Sequence, residues 1–186
     1  MTDLITALGD LARLFDQFGA PYAVMGGLAV RVHGIPRPTY DVDFTLAIDR
    51  ARLLELYDAV RALGYTVPEE YQGGWVDQVA GMPLVKARLR VEGKTIDVDV
   101  FLAESRFQKS LIQRRIQTDV EGITAWIASA EDLILLKLLA GRPRDIGDIQ
   151  DILLVQGPLD QAYLQHWADE LGVRPQLTRA LEDFTR

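Results

Sequence analysis

Cysteine is absent from this chain of 186 residues, and histidine occurs only twice. The missing thiols exclude a disulfide framework, a cysteine nucleophile and a metal site built on cysteine. No stretch of about 18 consecutive apolar residues occurs, so the sequence predicts no transmembrane helix and no membrane partner. The first residues lack the basic segment and the apolar core of a secretion signal, and we therefore expect a cytoplasmic protein.

An excess of positive charge is also missing, because the formal net charge is −7. A field of this sign does not favour non-specific binding to duplex nucleic acid. Basic residues are nevertheless concentrated in two places, which are Lys86, Arg88, Arg90 and Lys94, and then Arg106, Lys109, Arg114 and Arg115. Two interpretations stay open for these groups: a phosphate-binding face or an ordinary solvated surface.

The residues that are present indicate one globular domain. Hydrophobic residues make up 48% of the chain and charged residues 25%, which is enough apolar material for a core. Periodicity predicts two strands near 84–91 and 95–102 and a loop over 68–83. Helices are predicted near 4–18, 50–63, 105–115, 129–140, 146–155, 160–171 and 175–184. We expect an α+β fold with a sheet-bearing core at 1–128 and a helical C-terminal part at 129–186, packed as one cooperative unit.

A pair of glycines and a pair of aspartates form the most informative motif. Gly26-Gly27 follows a short apolar run with strand character and precedes a plausible helix. Such a turn lets the backbone approach a ligand and presents free N–H groups at a helix N-terminus, where phosphate binds well. Asp41 and Asp43 alternate along the next predicted strand, so their side chains lie on one face, about 7 Å apart. Carboxylates so placed suit Mg²⁺, which prefers oxygen ligands.

A third carboxylate is expected on a neighbouring strand. In the run Lys94 to Phe101, Asp97 and Asp99 alternate with apolar residues and share one face. Spacing alone leaves both as candidates for the third acid. A half-exposed strand that simply projects both acids into solvent is the alternative.

The segment from Gly26 to Gly34, together with Arg37, Thr39, Asp41 and Asp43, resembles the Gly-Gly/Asp-x-Asp core of the polymerase-β-like nucleotidyltransferase superfamily. Within it, the chain most resembles the small bacterial proteins grouped with the AbiEii-type toxins and related small bacterial nucleotidyltransferases. Many members carry Gly-Ser where this chain has Gly26-Gly27, so no serine hydroxyl is available here for a phosphate.

The resemblance implies a nucleotidyltransferase fold, with a mixed sheet, flanking helices and a helical C-terminal part. It also implies a nucleoside triphosphate substrate such as ATP, with its phosphates positioned by Gly26 and Gly27. Two Mg²⁺ ions would be bound by Asp41, Asp43 and the third acid, for which the continuation of the strand favours Asp99 over Asp97. Arg37 and Thr39 would lie near the triphosphate or the acceptor, although their turn-rich loop is polar for ordinary reasons as well.

Lys137 lies in an almost entirely apolar predicted helix, where a lysine needs an anionic partner. The resemblance implies that this partner is a nucleotide phosphate, and that Arg144 or Asp145 contacts the nucleotide or braces Lys137. The alternative is that Lys137, near the helix end, extends its ammonium group to solvent or forms an ion pair with Asp145 or Asp148. These acids would be stabilised at the start of a helix in any case. His33, at a predicted helix end, is expected to act as a cap.

The implied reaction is attack of an acceptor hydroxyl on the α-phosphorus of the triphosphate, with pyrophosphate as the leaving group. The acceptor is a tRNA, a protein or a small molecule, and a toxin of this type would have an antitoxin as partner. Two further classes stay open. One is a non-catalytic nucleotide-binding or interaction module, and the other is an adenylyltransferase that modifies a small molecule such as an antibiotic.

Overall fold

The computed structural model describes residues 2–74, 77–79, 81–91 and 93–184. The helices in the described part of the chain are α1 (Thr2–Gln17), α2 (Gly26–His33), α3 (Leu53–Ala62), α4 (Glu69–Gln72), α5 (Arg106–Arg114), α6 (Ala130–Ala140), α7 (Pro143–Val155), α8 (Gln161–Glu170) and α9 (Arg174–Phe184). The strands are β1 (Tyr22–Met25), β2 (Asp41–Leu46), β3 (Tyr65–Thr66), β4 (Asp77–Val79), β5 (Met82–Val91), β6 (Lys94–Leu102), β7 (Ile116–Val120) and β8 (Ile123–Ile127).

All of these strands belong to one mixed sheet. Its order is β3-β5-β6-β2-β1-β8-β7, and β4 pairs with β5 outside this path. The pairs β2 with β6 and β1 with β8 are parallel, whereas the other pairs are antiparallel. The predicted α+β architecture with a mixed sheet and flanking helices is confirmed.

Alternation along β2 separates the core from the polar face of the sheet. Val42 and Phe44 are fully buried, and the Phe44 ring meets that of Phe15 in α1 edge to face at a centroid distance of 5.1 Å. Asp41 and Asp43 point to the opposite face because strand side chains alternate. Burial of one face against α1 therefore directs the two carboxylates to the other face.

Helix α6 is buried on nearly all sides, as its composition predicts. The Ser129 hydroxyl caps its first turn by accepting from the Asp132 backbone N–H at 3.2 Å, and Gly141 ends it in the left-handed conformation with φ of 61°. The Asp132 carboxylate in turn accepts from Ser129 Oγ at 2.7 Å and from the Tyr163 hydroxyl at 2.6 Å. These contacts join the centre of the molecule to α8.

Two parts of the sequence prediction were wrong at the level of elements. Residues 116–127, which had no predicted strands, form the β7–β8 hairpin around Glu121 and Gly122, both with positive φ. The predicted loop at 68–83 contains α4, β4 and the start of β5, while residues 75, 76 and 80 lie outside the described residues. None of the helices in the described part combines the length and apolar character that crossing a bilayer requires.

Candidate active site

The turn between β1 and α2 is built from Gly26 and Gly27 because two side chains approach it too closely for any Cβ. Gly26 has φ of +62°, and a Cβ there would lie 1.8 Å from Oδ2 of Asp43. A Cβ on Gly27 would lie 2.4 Å from Oγ1 of Thr39. Met25, at the N-cap position, makes no side-chain cap hydrogen bond, so the first-turn N–H groups have no side-chain cap there. Free N–H groups at a helix N-terminus suit a phosphate.

The predicted acids converge beside this turn. The parallel register of β2 and β6 sets Asp43 opposite Asp99 and Asp41 opposite Asp97. Asp41, Asp43 and Asp99 line one cavity of about 290 Å³ together with both glycines. Thr39 also lines it and donates a hydrogen bond of 2.7 Å to Oδ1 of Asp41.

The two candidates for the third acid have different surroundings, although their side chains share a face of β6. Asp99 lines the cavity, and its side chain is 21% exposed. Asp97 does not line it, is 55% exposed and pairs with Arg88 at 2.9 Å. The structure therefore brings Asp99, rather than Asp97, to Asp41 and Asp43.

Negative charge accumulates around Asp43. Burial, as the largest cause, and the neighbouring charges of Asp41 and Asp99 together raise the pKa of Asp43 to about 7, against the opposing effect of Lys137 and Arg142. A carboxylate in this position is costly without a counter-charge. A divalent cation would offset that cost.

The donor set fits such a cation, because every candidate ligand is a carboxylate oxygen. The described residues nevertheless contain no ready group of three acidic, histidine or cysteine ligands. At the third acid, Lys86 Nζ lies 2.9 and 3.0 Å from the two carboxylate oxygens of Asp99. Asp41 and Asp43 are thus the acids that can hold a metal in this arrangement.

Lys137 reaches the cavity from α6 and is held there by two acids of α7. Its side chain is 3% exposed, and its Nζ lies 3.0 Å from Oδ1 of Asp145 and 2.5 Å from Oδ2 of Asp148. These are the partners of the structural alternative raised by the sequence. Lys137 lines the cavity as well.

The same two acids hold two arginines of the cavity wall. Arg37 donates to both oxygens of Asp148, from Nε at 2.5 Å and from Nη2 at 2.8 Å. Arg142 donates from Nε to Asp145 at 2.8 Å. Burial alone would raise the pKa of Asp145 and of Asp148, but hydrogen bonds from these cations outweigh it and hold both pKa values below their usual range.

Arg144 also lines the cavity, whereas Asp145 lies behind it and acts through Lys137 and Arg142. Sequence reasoning missed two participants, Arg142 in the wall and Lys86 on Asp99. Arg142 directly precedes Pro143, and a proline at the first position of a helix is a helix-start signal. That signal would have placed Arg142 at the N-terminus of α7, which follows α6 and its Lys137. Finding Lys86 requires the register of β5 on β6, which periodicity does not supply.

Several of the basic residues seen in the sequence are paired with acids. On β5, Lys86 pairs with Asp99 and Arg88 with Asp97. In the second group, Arg106 pairs with Glu170, Arg114 pairs with Glu131, and Arg115 lies over the Trp126 ring. These pairs support the solvated-surface interpretation over a phosphate-binding face.

His33 occupies a different place from the predicted one. It is buried, and its Nε2 donates to the carbonyl oxygen of Ala128 at 2.8 Å, so the ring links α2 to the segment after β8 instead of capping its own helix. Burial lowers the pKa of His33, which keeps the ring neutral near pH 7. Gln156 caps the helix end instead, by donating to the His33 carbonyl at 2.8 Å.

Comparison with known proteins agrees with this geometry. Residues 3–176 match a family described as "Nucleotidyltransferase of unknown function (DUF6036)". No curated protein matches the chain. Among solved structures, an antigenic nucleotidyltransferase-like protein from Paracoccidioides brasiliensis is similar with a TM-score of 0.55 at 22% identity, covering 97% of this chain and 93% of that one.

Two structures of the antibiotic-resistance factor ANT(2'')-Ia are also similar. Its solution structure gives a TM-score of 0.58 at 15% identity, with 99% of this chain and 96% of that chain covered. Its crystal structure with adenylyl-2''-tobramycin gives 0.54 at 18% identity, with 98% and 99% covered. At such identities the likeness shows the fold alone. The predicted nucleotidyltransferase fold and superfamily are confirmed, and the AbiEii-type branch stays a prediction.

Proposed function

Because this chain belongs to the nucleotidyltransferase family DUF6036, we propose that it moves a nucleotidyl group from a nucleoside triphosphate to an acceptor hydroxyl in a metal-dependent reaction. The observation that carries the proposal is the meeting of Asp41, Asp43 and Asp99 with Gly26-Gly27 around one cavity. A non-catalytic binding module would have no need to hold three like charges beside a buried turn.

In the proposed reaction the acceptor oxygen forms a bond to the α-phosphorus, and the bond from that phosphorus to the oxygen of pyrophosphate breaks. The hydroxyl proton passes to the carboxylate of Asp99. A divalent cation held by Asp41 and Asp43, for which we propose Mg²⁺, would supply the Lewis acid that offsets charge developing on the phosphates. Thr39 keeps the Asp41 carboxylate oriented through its hydrogen bond of 2.7 Å.

The triphosphate is proposed to contact the N-terminus of α2 and the cations of the cavity wall. The first-turn N–H groups at Gly26 and Gly27 suit phosphate oxygens. Arg142, with a side chain 53% exposed, and Arg144 are accessible from the cavity, which suits them to the phosphate tail. Lys137 and Arg37 are, like Arg142, paired with acids, but their side chains are only 3% and 25% exposed, so they contribute positive potential and hold the wall in place.

For the acceptor we propose a small molecule that carries a hydroxyl group. On β5, Lys86 pairs with Asp99 and Arg88 pairs with Asp97, which reduces the uncompensated positive charge that could bind an RNA backbone. A tRNA acceptor and a toxin role with an antitoxin partner are the other outcomes that the test must distinguish.

The decisive experiment is a transfer assay with the full chain, MgCl₂, each α-³²P-labelled nucleoside triphosphate and a cell extract. We expect label in the small-molecule fraction, none with EDTA, and none with the Asp41→Ala, Asp43→Ala variant. Label in RNA would show that the acceptor is RNA instead of a small molecule, and the proposed reaction would stand. Growth arrest on expression, if it depends on Asp41 and Asp43, would support the toxin role. If label enters neither small molecules nor RNA nor protein, the proposal is overturned.

A further inference from the structure

Lys86 forms an ion pair with the third acid of the candidate site. The antiparallel register of β5 and β6 sets Lys86 directly across from Asp99. Its ammonium lies 2.9 Å from Oδ1 and 3.0 Å from Oδ2, so both carboxylate oxygens are engaged. The two side chains are 34% and 21% exposed, and the pair is therefore partly shielded from solvent.

A second pair on the same two strands offers an internal comparison. Arg88 lies two residues further along β5, directly across from Asp97, and donates to Oδ1 of that residue at 2.9 Å. Both side chains are about half exposed, and neither residue lines the cavity. The ladder thus carries two similar ion pairs, of which only one includes an acid of the site.

We propose that Lys86 is a built-in cation that competes with a divalent metal ion for the carboxylate of Asp99. This inference rests on the metal dependence of the proposed function. Asp41 and Asp43 accept a metal without disturbing Lys86, whereas Asp99 becomes a ligand only when its ion pair opens.

The physical basis is that both carboxylate oxygens of Asp99 already accept from one ammonium group. A metal that takes an Asp99 oxygen must displace at least one of those two contacts, and the loss lowers its apparent affinity. Lys86 is therefore a positioning residue, because it acts through Asp99 and has no assigned contact with substrate.

The test measures Mn²⁺ binding to the full chain by electron paramagnetic resonance at about 0.15 M salt, without nucleotide. The Lys86→Met variant removes the charge and keeps the apolar stem. We expect it to tighten Mn²⁺ binding about threefold to tenfold, the range that loss of a partly shielded competing ion pair can produce. Arg88→Met, the matched control, should change the affinity by less than about twofold, because its pair with Asp97 lies outside the cavity and its charge is screened.

Asp99→Asn supplies the second control. In that background Lys86→Met should leave the Mn²⁺ affinity unchanged, since no Asp99 carboxylate remains to be released. An unchanged or weaker affinity of Lys86→Met, an equal gain with Arg88→Met, or a gain that persists with Asn at position 99 would each overturn the inference. Thermal denaturation checks the fold of each variant, and Lys86→Gln provides the same comparison if the methionine variant does not fold.

Failure of the proposed function gives a different pattern. If Asp41→Asn and Asp43→Asn bind Mn²⁺ as the unmodified chain does and no nucleotidyl transfer is found, the metal-dependent reaction itself is wrong. If those variants lose binding while Lys86→Met gains none, the reaction stands and the competition by Lys86 is wrong.

Discussion

Asp43 is a residue at which the proposed function and the stability of the fold oppose each other. Its carboxyl group is packed beneath Gly26 and lies next to the charges of Asp41 and Asp99. Replacing it by asparagine removes the repulsion and keeps the shape of the side chain. We predict that Asp43→Asn raises the free energy of unfolding in EDTA at pH 8 by about 1 to 3 kcal/mol. Each unit by which folding raises the pKa of a carboxyl group adds about 1.4 kcal/mol to the cost of keeping it ionised, and the lost attraction to Lys137 and Arg142 offsets part of the gain.

Urea unfolding measures this change, and the same variant should lose transfer activity by a factor of at least about 10³. Excess Mg²⁺ should reduce the stability difference between the variant and the unmodified chain, because only the latter gains stability from a bound metal. A destabilised Asp43→Asn protein in EDTA would contradict the described charge cluster.

Gly26 is predicted to be irreplaceable for a reason that Gly147 does not share. A Cβ at Gly26 would occupy the position of the Asp43 carboxylate, and its φ of +62° disfavours any L side chain. Gly26→Ala should therefore cost about 1 to 2 kcal/mol of stability and displace an acid that we propose holds the metal, with transfer activity lost. Gly147→Ala, in α7 with no atom within 4 Å of its Cβ, should stabilise the chain by about 0.5 to 1 kcal/mol. Denaturant unfolding and the transfer assay compare the two variants, and equal effects would contradict the argument.

At the scale of residues, the sequence predicted the kinds of side chain in the site and the strand face they share better than it predicted which side chains pair with each other. Alternation placed Asp97 and Asp99 on one face of a strand, and this holds in the structure. It did not reveal which of them lies over the cavity, because that depends on where α2 and α6 meet the sheet. The pair of Lys86 with Asp99 depends on the register of two strands and is invisible to a pattern within one strand.

Helix α7 is the element that organises the cations of the site. Asp145 and Asp148, in its first turns, together contact Arg37, Lys137 and Arg142. Asp148→Asn leaves Arg37 without its bidentate partner and weakens the anchoring of a buried lysine. We predict a loss of about 2 to 4 kcal/mol in unfolding free energy, close to the cost of breaking a buried ion pair.

Urea unfolding tests this value, and a rise in KM for the triphosphate should accompany it because the cavity wall loosens. Glu55→Gln serves as the control, since it removes an exposed ion pair with Arg52 and should cost less than about 0.5 kcal/mol. Equal losses in the two variants would show that the α7 acids do not anchor the wall.

His33 joins α2 to the segment after β8 and gives stability a pH dependence. Burial holds its pKa in the folded chain below the usual 6.5, whereas the unfolded chain takes up the proton from about pH 6.5 downward. The unfolded state then binds more protons, so stability is full above pH 6.5 and is lost as the pH falls toward the lower folded pKa.

We predict that protonation of the unfolded chain at His33 costs about 1 kcal/mol between pH 7.5 and pH 5.5, since the slope per group cannot exceed about 1.4 kcal/mol per pH unit. The Asp43→Asn chain is the suitable background, because Asp43 titrates in the same range with the opposite sign. His33→Gln in that background should lose the slope, as measured by urea unfolding at both pH values. If stability still depends on pH after the substitution, other groups cause that dependence.

At the scale of elements, long amphipathic or apolar helices were predictable, because their period is strong and their caps are local. The β7–β8 hairpin was missed although its two halves alternate around Glu121 and Gly122. Its first strand is mostly exposed, so it lacks the apolar stripe that marks a strand in a sequence. Its place at the sheet edge is set by parallel pairing of β8 with β1, a contact between distant parts of the chain.

At the scale of the whole molecule, the predicted division near residue 128 separates the sheet from the helical part in sequence but not in space. Arg37 of the first part pairs with Asp148 of the second, and Gln156 donates to the His33 carbonyl. The Trp167 ring lies 5.4 Å from that of Phe107 in α5. The candidate site itself takes residues from both parts, so the site requires that they stay together.

We therefore predict that the two parts unfold in a single transition. Trp126 lies in β8 and Trp167 in α8, so each reports on one part. Labelling the chain with 5-fluorotryptophan gives each of these residues a ¹⁹F resonance, which the variants Trp126→Phe and Trp167→Phe assign. Both resonances should lose their native intensity at the same urea concentration. The reason is that separating the parts exposes the apolar faces of α6 and breaks the ion pair of Arg37 with Asp148, which neither part can form alone. Midpoints that differ by more than about 0.5 M urea would show two units of separate stability, and Asp148→Asn should then widen the gap by loosening the contact between them.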